Sequence, residues 1–143
     1  MKILVIDGQG GRLGRKLTES VRRCCPDAEI IAVGTNSMAT QNMMNANCAN
    51  RLATGENAVI VACRSADIII GPFGIATADA MMGEISPAMA NAVCQSAAYR
   101  VLIPVNLCNT YVAGARVSAS AMIEDAMNHI AELTGGDGNE RTT

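Results

Sequence analysis

The first apolar run, Lys2 to Asp7, is nearly all β-branched or aliphatic and alternates little. Such a run is the pattern of a strand buried on both faces, as in a parallel sheet. Glu29 to Gly34 and Asp67 to Gly71 repeat it, and Arg100 to Val105 reads as a fourth strand. Tyr111 to Arg116 reads as a fifth, shorter one. Between the strands the period changes. Leu13, Leu17 and Val21 recur every four residues, one face of a helix that Cys24 and Cys25 extend and Pro26-Asp27 ends. Residues 37–48 suit a second helix, with Met38, Met43, Met44 and Cys48 as apolar positions, and Asn50 to Thr54 reads as a loop. Thr54-Gly55-Glu56-Asn57 reads as the start of a helix holding Val59, Ile60 and Cys63; a strand over Val59 to Cys63 is the alternative. A loop rich in Gly, Pro and Ala follows residue 71 and leads into a short helical turn ending at Gly83. Ser86-Pro87 joins an N-cap to a proline at the first helical position, with Met89, Val93 and Ala97 behind it. Ser118 or Ser120 caps the last helix, which carries Met122, Ile123, Ala126, Met127, Ile130 and Leu133.

Strands alternating with helices predict an α/β domain: an open, mostly parallel, doubly wound sheet of about five strands with helices on both faces. The domain is expected to cover residues 1–134, and the polar, glycine-rich residues 135–143 are expected to be a disordered tail.

Composition narrows the ligands. Half of the 143 residues are hydrophobic, but Phe73, Tyr99 and Tyr111 are the only aromatics. Proteins that bind single-stranded nucleic acid stack bases on aromatic rings, which this chain scarcely has. A net charge of −2 offers no electrostatic footprint for nucleic acid or an anionic membrane. The longest uncharged run, Val101 to Ala115, contains Pro104, Asn106 and Asn109 and falls short of the ~20 apolar residues that a spanning helix needs. The brief Ile3–Ile6 run lacks the length of a secretory signal, so a cytoplasmic protein is expected. Cysteines at 24, 25, 48, 63, 94 and 108 include no C-x-x-C pair, and His129 is the single histidine. No metal site is expected, and the thiols read as reduced, buried small hydrophobes.

The chemistry concentrates after the first strand, in Asp7-Gly8-Gln9-Gly10-Gly11-Arg12-Leu13-Gly14. In a doubly wound sheet this loop lies at the carboxyl edge, where ligands bind. Glycines let backbone N–H groups approach an anion, and the helix that follows presents the positive end of its dipole. Arg12 adds a full charge. The spacing departs from G-x-G-x-x-G: Gly8, Gly10 and Gly14 give G-x-G-x-x-x-G, while Gly11 and Gly14 match only the last two positions. A P-loop is excluded, because Arg15 precedes Lys16 and Leu17 follows it. The second strand ends in Gly34-Thr35-Asn36, without the acidic residue of NAD sites or the arginine of NADP sites.

Other residues at the same edge are Gly71-Pro72-Phe73-Gly74 and Asn106-Leu107-Cys108-Asn109. Asp7 suits a metal ligand or an organiser of loop amides. Glu84, ahead of a helix start, suits dipole compensation, a general base or a ribose ligand. Asp7 and Glu84 are the catalytic candidates. Cys108 is the one cysteine expected at this edge; a nucleophilic role needs a base, and His129 lies on the last helix. The pairs Met43-Met44 and Met81-Met82 suit core filling first and a homodimer surface second.

The segments Val5 to Gly11, Gly34 to Asn36, Ala53 to Ala58, Asp67 to Pro72, Gly83 to Ala90 and Ile103 to Asn109 resemble a family of small bacterial single-domain Rossmann-like proteins of unknown function. The resemblance spans roughly residues 1–133. It implies a Rossmann-like three-layer sandwich with no separate catalytic domain, and it implies no activity. Arg12 departs from the small residue expected there and supplies a cation.

These features together predict a protein that binds a small phosphate-containing ligand, a nucleotide or a dinucleotide such as NAD or NADP. The phosphates would lie over Gly8, Gln9, Gly10, Gly11, Arg12 and Leu13, and the ribose at Thr35 and Asn36. Gly71, Pro72, Phe73, Gly74 and Asn106 would face the base or substrate. Two alternatives stand beside it: a small enzyme acting on a phosphorylated or nucleoside-type substrate, and a non-enzymatic homo-oligomeric sensor or assembly module.

Overall fold

A computed structural model of the protein describes residues 1–107, 109–115 and 117–135. The elements in chain order are β1 (Lys2–Asp7), α1 (Arg12–Cys24), β2 (Glu29–Gly34), α2 (Ser37–Asn45), β3 (Arg51–Thr54), α3 (Glu56–Cys63), β4 (Ile68–Pro72), a short 3-10 helix (Phe73–Ala76), α4 (Pro87–Gln95), β5 (Tyr99–Ile103) and α5 (Ala119–Gly135). Every strand pairing is parallel, and the sheet order is β3-β2-β1-β4-β5.

Successive side chains of a strand point to opposite faces, so each central strand feeds two cores. Ile3 and Val5 join Ile30, Ala32, Ile68 and Ile70 under Leu17 and Val21 of α1, Met43 of α2, and Ala126 and Ile130 of α5. Leu4 and Ile6 join Val33 and Ile69 under Val59 and Cys63 of α3 and Met89, Ala90 and Val93 of α4. This is the predicted three-layer α/β sandwich. Its connections wind outward from β1 on one side and from β4 on the other. The switch point therefore falls between the carboxyl ends of these two strands, which is where ligands bind in such sheets.

Two expectations are corrected. Asn50 to Thr54 is not a loop throughout: Arg51–Thr54 is the edge strand β3, in register with β2 from Ile31↔Arg51 to Gly34↔Thr54. Only Leu52 packs against the core, so no apolar run announces the strand. Asn50 positions it instead: its Oδ1 accepts from Ile30 N at 2.8 Å and from Arg22 Nη2 at 2.7 Å. Conversely, residues 111–115 form no strand; the chain turns at Ala113-Gly114, where Gly114 has φ +85°. The fifth strand is thus β3.

Smaller points follow the capping chemistry. Glu56–Cys63 is helical, which removes the strand alternative. Ser86 caps α4 as expected, accepting from Met89 N at 3.2 Å. Ser118, not Ser120, caps α5, its Oγ accepting from Ala121 N at 3.2 Å. Met43 is buried, whereas Met38, Met44 and Met82 are exposed. Cys108, Arg116 and residues 136–143 lie outside the described residues, so neither the thiol at 108 nor the tail is addressed by the structure.

Candidate functional site

The loop after β1 is built by Asp7. Gly11 is the N-cap of α1, with φ +71° and no side chain to cap with. Asp7 does this from the strand end: Oδ2 accepts from Gly14 N at 2.6 Å, and Oδ1 accepts from Gly8 N at 2.8 Å. Asp7 is 5% exposed. Burial pushes its pKa above the ordinary value, the Gly14 and Gly8 amides pull part of the way back, and the nearby Glu84 charge adds to the rise. With both Asp7 oxygens engaged, the loop is fixed from below. The backbone N–H groups of Gly10, Arg12 and Leu13 have no acceptor among the described residues, and the Arg12 guanidinium is exposed with no ion-pair partner among them.

The loop glycines serve different needs. A Cβ on Gly11 would lie 2.6 Å from Ala39 Cα, and one on Gly14 would lie 2.6 Å from Asp7 Cβ and 2.7 Å from Met43 Sδ. One on Gly8 would lie 2.6 Å from Met81 Sδ. Gly11 and Gly14 are demanded by packing, whereas at Gly8 the atoms in the way belong to the side chains of Met81 and Thr35. Gly10 has nothing within 4 Å of its missing side chain.

The loop forms one wall of a cavity of about 590 Å³ at the switch point. That lies within the ~300–1,000 Å³ usual for small-molecule sites. Asp7, Gly8, Gln9, Gly10, Gly11, Arg12 and Leu13 line it on one side, Pro72, Phe73 and Gly74 on a second, and Val105, Asn106, Leu107 and Thr110 on a third. Four predicted residues stand apart from it. Gly71 is buried against the backbone oxygen of Ile6, a close approach that any Cβ would block. Thr35, Asn36 and Glu84 are engaged with one another. Glu84 Oε1 accepts from Thr35 Oγ1 at 2.8 Å, Asn36 Nδ2 at 2.6 Å and Gln9 N at 3.0 Å. Desolvation pushes the Glu84 pKa up, but the bonds from Asn36, Thr35 and Gln9 outweigh it and hold the carboxyl below its ordinary value.

Sequence reasoning ranked Asp79 below Asp7 and Glu84, read Met81 as core or dimer surface, and missed that they form a cavity wall with Thr77, Ala78 and Ala80. The only signal is its run of small residues, Ala76-Thr77-Ala78-Asp79-Ala80, which leaves room beside the loop. Four non-glycine residues in the left-handed region line this one cavity: Gln9 (φ 49°), Asp79 (φ 66°), Met81 (φ 57°) and Asn106 (φ 51°). Asn and Asp tolerate that conformation; Gln and Met hold it at a cost of about 1–2 kcal/mol each.

A second cavity of about 550 Å³ lies between β5 and α5, with Asp125 and His129 on its wall. His129 Nε2 is 2.8 Å from the Tyr99 hydroxyl, and its Nδ1 is 3.6 Å from Glu132 Oε2. All three of these side chains are exposed. Among the described residues no three His, Cys, Asp or Glu side chains gather as metal ligands, and no helix is long and apolar enough to cross a membrane.

The sheet order and a glycine-loop cavity at its switch point define a Rossmann-like α/β protein. The chain belongs to the family described as Domain of unknown function (DUF3842), whose model matches residues 2–135. Among solved structures it is similar to a dodecameric FMN-dependent UbiX-like decarboxylase from Escherichia coli O157:H7. That likeness covers 100% of both chains at 16% identity, with a TM-score of 0.52, and is a likeness of fold. No curated protein matches the sequence.

Proposed function

We propose that the protein binds a nucleotide or dinucleotide through its phosphate, held over Gly8 to Leu13. The observation that carries this reading is Gly10. No neighbour among the described residues requires a glycine there, yet it stands on the cavity wall with its own N–H, like those of Arg12 and Leu13, lacking an acceptor among them. A bare backbone beside a helix N-terminus and a free guanidinium is what an approaching phosphate needs. The rest of the ligand meets Phe73, the one aromatic on the cavity wall, and the amide of Asn106. The FMN dependence of a protein with a similar fold supports a phosphate-bearing ligand. The engagement of both Asp7 oxygens favours a loop-ordering role over acid–base chemistry.

Calorimetric titration with FMN, NAD(H), NADP(H), ATP, GTP and coenzyme A tests the reading. Binding by at least one, abolished in Gly10→Val and weakened in Arg12→Ala, is the expected result; no binding by any of them in folded protein overturns it. Self-association is a second part of the reading. Met82 is 99% exposed, and the similar solved structure is a dodecamer. Light scattering that finds only a monomer would remove that part.

A further inference from the structure

A dinucleotide on a sheet of this order runs its pyrophosphate over the loop after β1 and lays its second nucleoside against the carboxyl end of β2. Here that direction is filled. Glu84 reaches back from the segment before α4 to the end of β2 and joins Thr35, Asn36 and the Gln9 amide through one oxygen. Asn36 is fully committed: Nδ2 also donates to Gln9 O at 3.0 Å, and Oδ1 accepts from Ala39 N at 2.9 Å. Above Gly8, the space a Cβ would take is bounded by Met81 Sδ at 2.6 Å, Thr35 Oγ1 at 2.8 Å and Glu84 Oε1 at 3.5 Å. The groups that would meet a ribose on this flank already hold a carboxylate. The cavity is lined by Arg12, Leu13, Phe73 and Asn106 and by none of Thr35, Asn36 and Glu84.

We propose that the ligand is a mononucleotide, with one nucleoside on the Phe73–Asn106 side, and that the Glu84 clasp excludes the second nucleoside of a dinucleotide. The inference rests on the phosphate-binding reading above and adds direction to it. The clasp is held by charge-assisted hydrogen bonds, the stronger class, so displacing it costs a competing ligand more than displacing water would. Glu84 is thus a specificity-determining residue that lies outside the cavity it governs.

The test compares each mononucleotide with the dinucleotide that contains it: FMN with FAD, and AMP with NAD, titrated calorimetrically into the full chain. The better mononucleotide is expected to bind at least about tenfold more tightly than its dinucleotide. In Glu84→Ala the dinucleotide should gain affinity and the gap should narrow. Glu84→Gln, which keeps the bulk, should retain the preference. A dinucleotide that binds the wild type as tightly as its mononucleotide overturns the inference while leaving the phosphate reading intact. So does a Glu84→Ala protein that loses dinucleotide affinity, because Glu84 would then be a ribose ligand, and so does one in which the gap is unchanged. Absence of binding by all four ligands overturns this inference, and the phosphate reading falls with it where NADP(H), ATP, GTP and coenzyme A also fail to bind. The wild-type comparison decides the preference even where Glu84→Ala folds poorly.

Discussion

Gly8, Gly10 and Gly11 of the loop and Gly14 of α1 lie close in sequence, yet a side chain at Gly8, Gly11 or Gly14 would meet a different neighbour each time and one at Gly10 would meet none. Gly11→Ala would add strain at φ +71° to a collision with the Ala39 backbone, and Gly14→Ala would press on Asp7 and Met43. Each is expected to lower stability by about 1–3 kcal/mol in urea unfolding. Gly10→Ala should stay within ~0.5 kcal/mol of the wild type and lose ligand affinity instead. The density of glycine was legible in the sequence; the face that each one turns to its surroundings was not, because that depends on α2 and on the segment around Met81. Asp7 offers a second test. Asparagine there would turn an NH₂ group toward either the Gly14 or the Gly8 amide, donor against donor, so Asp7→Asn is expected to cost about 1–3 kcal/mol.

Among elements, β3 and the Glu84 segment depend most on distant partners. The edge strand is set by Asn50, which ties the Ile30 amide to Arg22. Asn50→Ala should therefore destabilise the protein by about 1–2 kcal/mol and speed hydrogen exchange at Ile30 and along β3. Hydrophobic pattern could not reveal β3, because pairing to β2 uses the backbone while most of its side chains face water. The central strands were legible for the opposite reason, being buried on both faces. The Glu84 clasp carries a pH signature. Its pKa is lowered from 4.5, so the stability it contributes is complete above that value and is lost as pH falls through the lowered native value. Asp7 has the reverse sign. Its pKa is raised, so its contribution is complete below 3.8 and declines as pH rises through the raised native value. Glu84→Gln is expected to flatten the acid limb of a Tm–pH profile taken between about pH 3 and about pH 7.

For the whole molecule, the alternation of strand and helix carried the architecture, and the loop after β1 marked the carboxyl edge. What the chain order concealed was which segments return to that edge. Thr35 and Asn36 sit at the end of β2 as expected, but Glu84, distant in sequence, arrives to occupy them. Gly71 follows β4 as expected, but its neighbour is Ile6. Met82 is exposed and left-handed at φ 56°. Met82→Gly is expected to stabilise the protein by up to ~1 kcal/mol if the residue serves no contact, and to weaken self-association if it does; thermal unfolding and light scattering separate the two. The closed flank beside β2 also has a consequence for traffic. A cleft open on both flanks would let a long molecule thread through, whereas here Glu84 bonds Thr35 and Asn36 across the β2 flank. With that clasp shut, a ligand seated beside Phe73 and Asn106 is expected to leave by the side on which it entered.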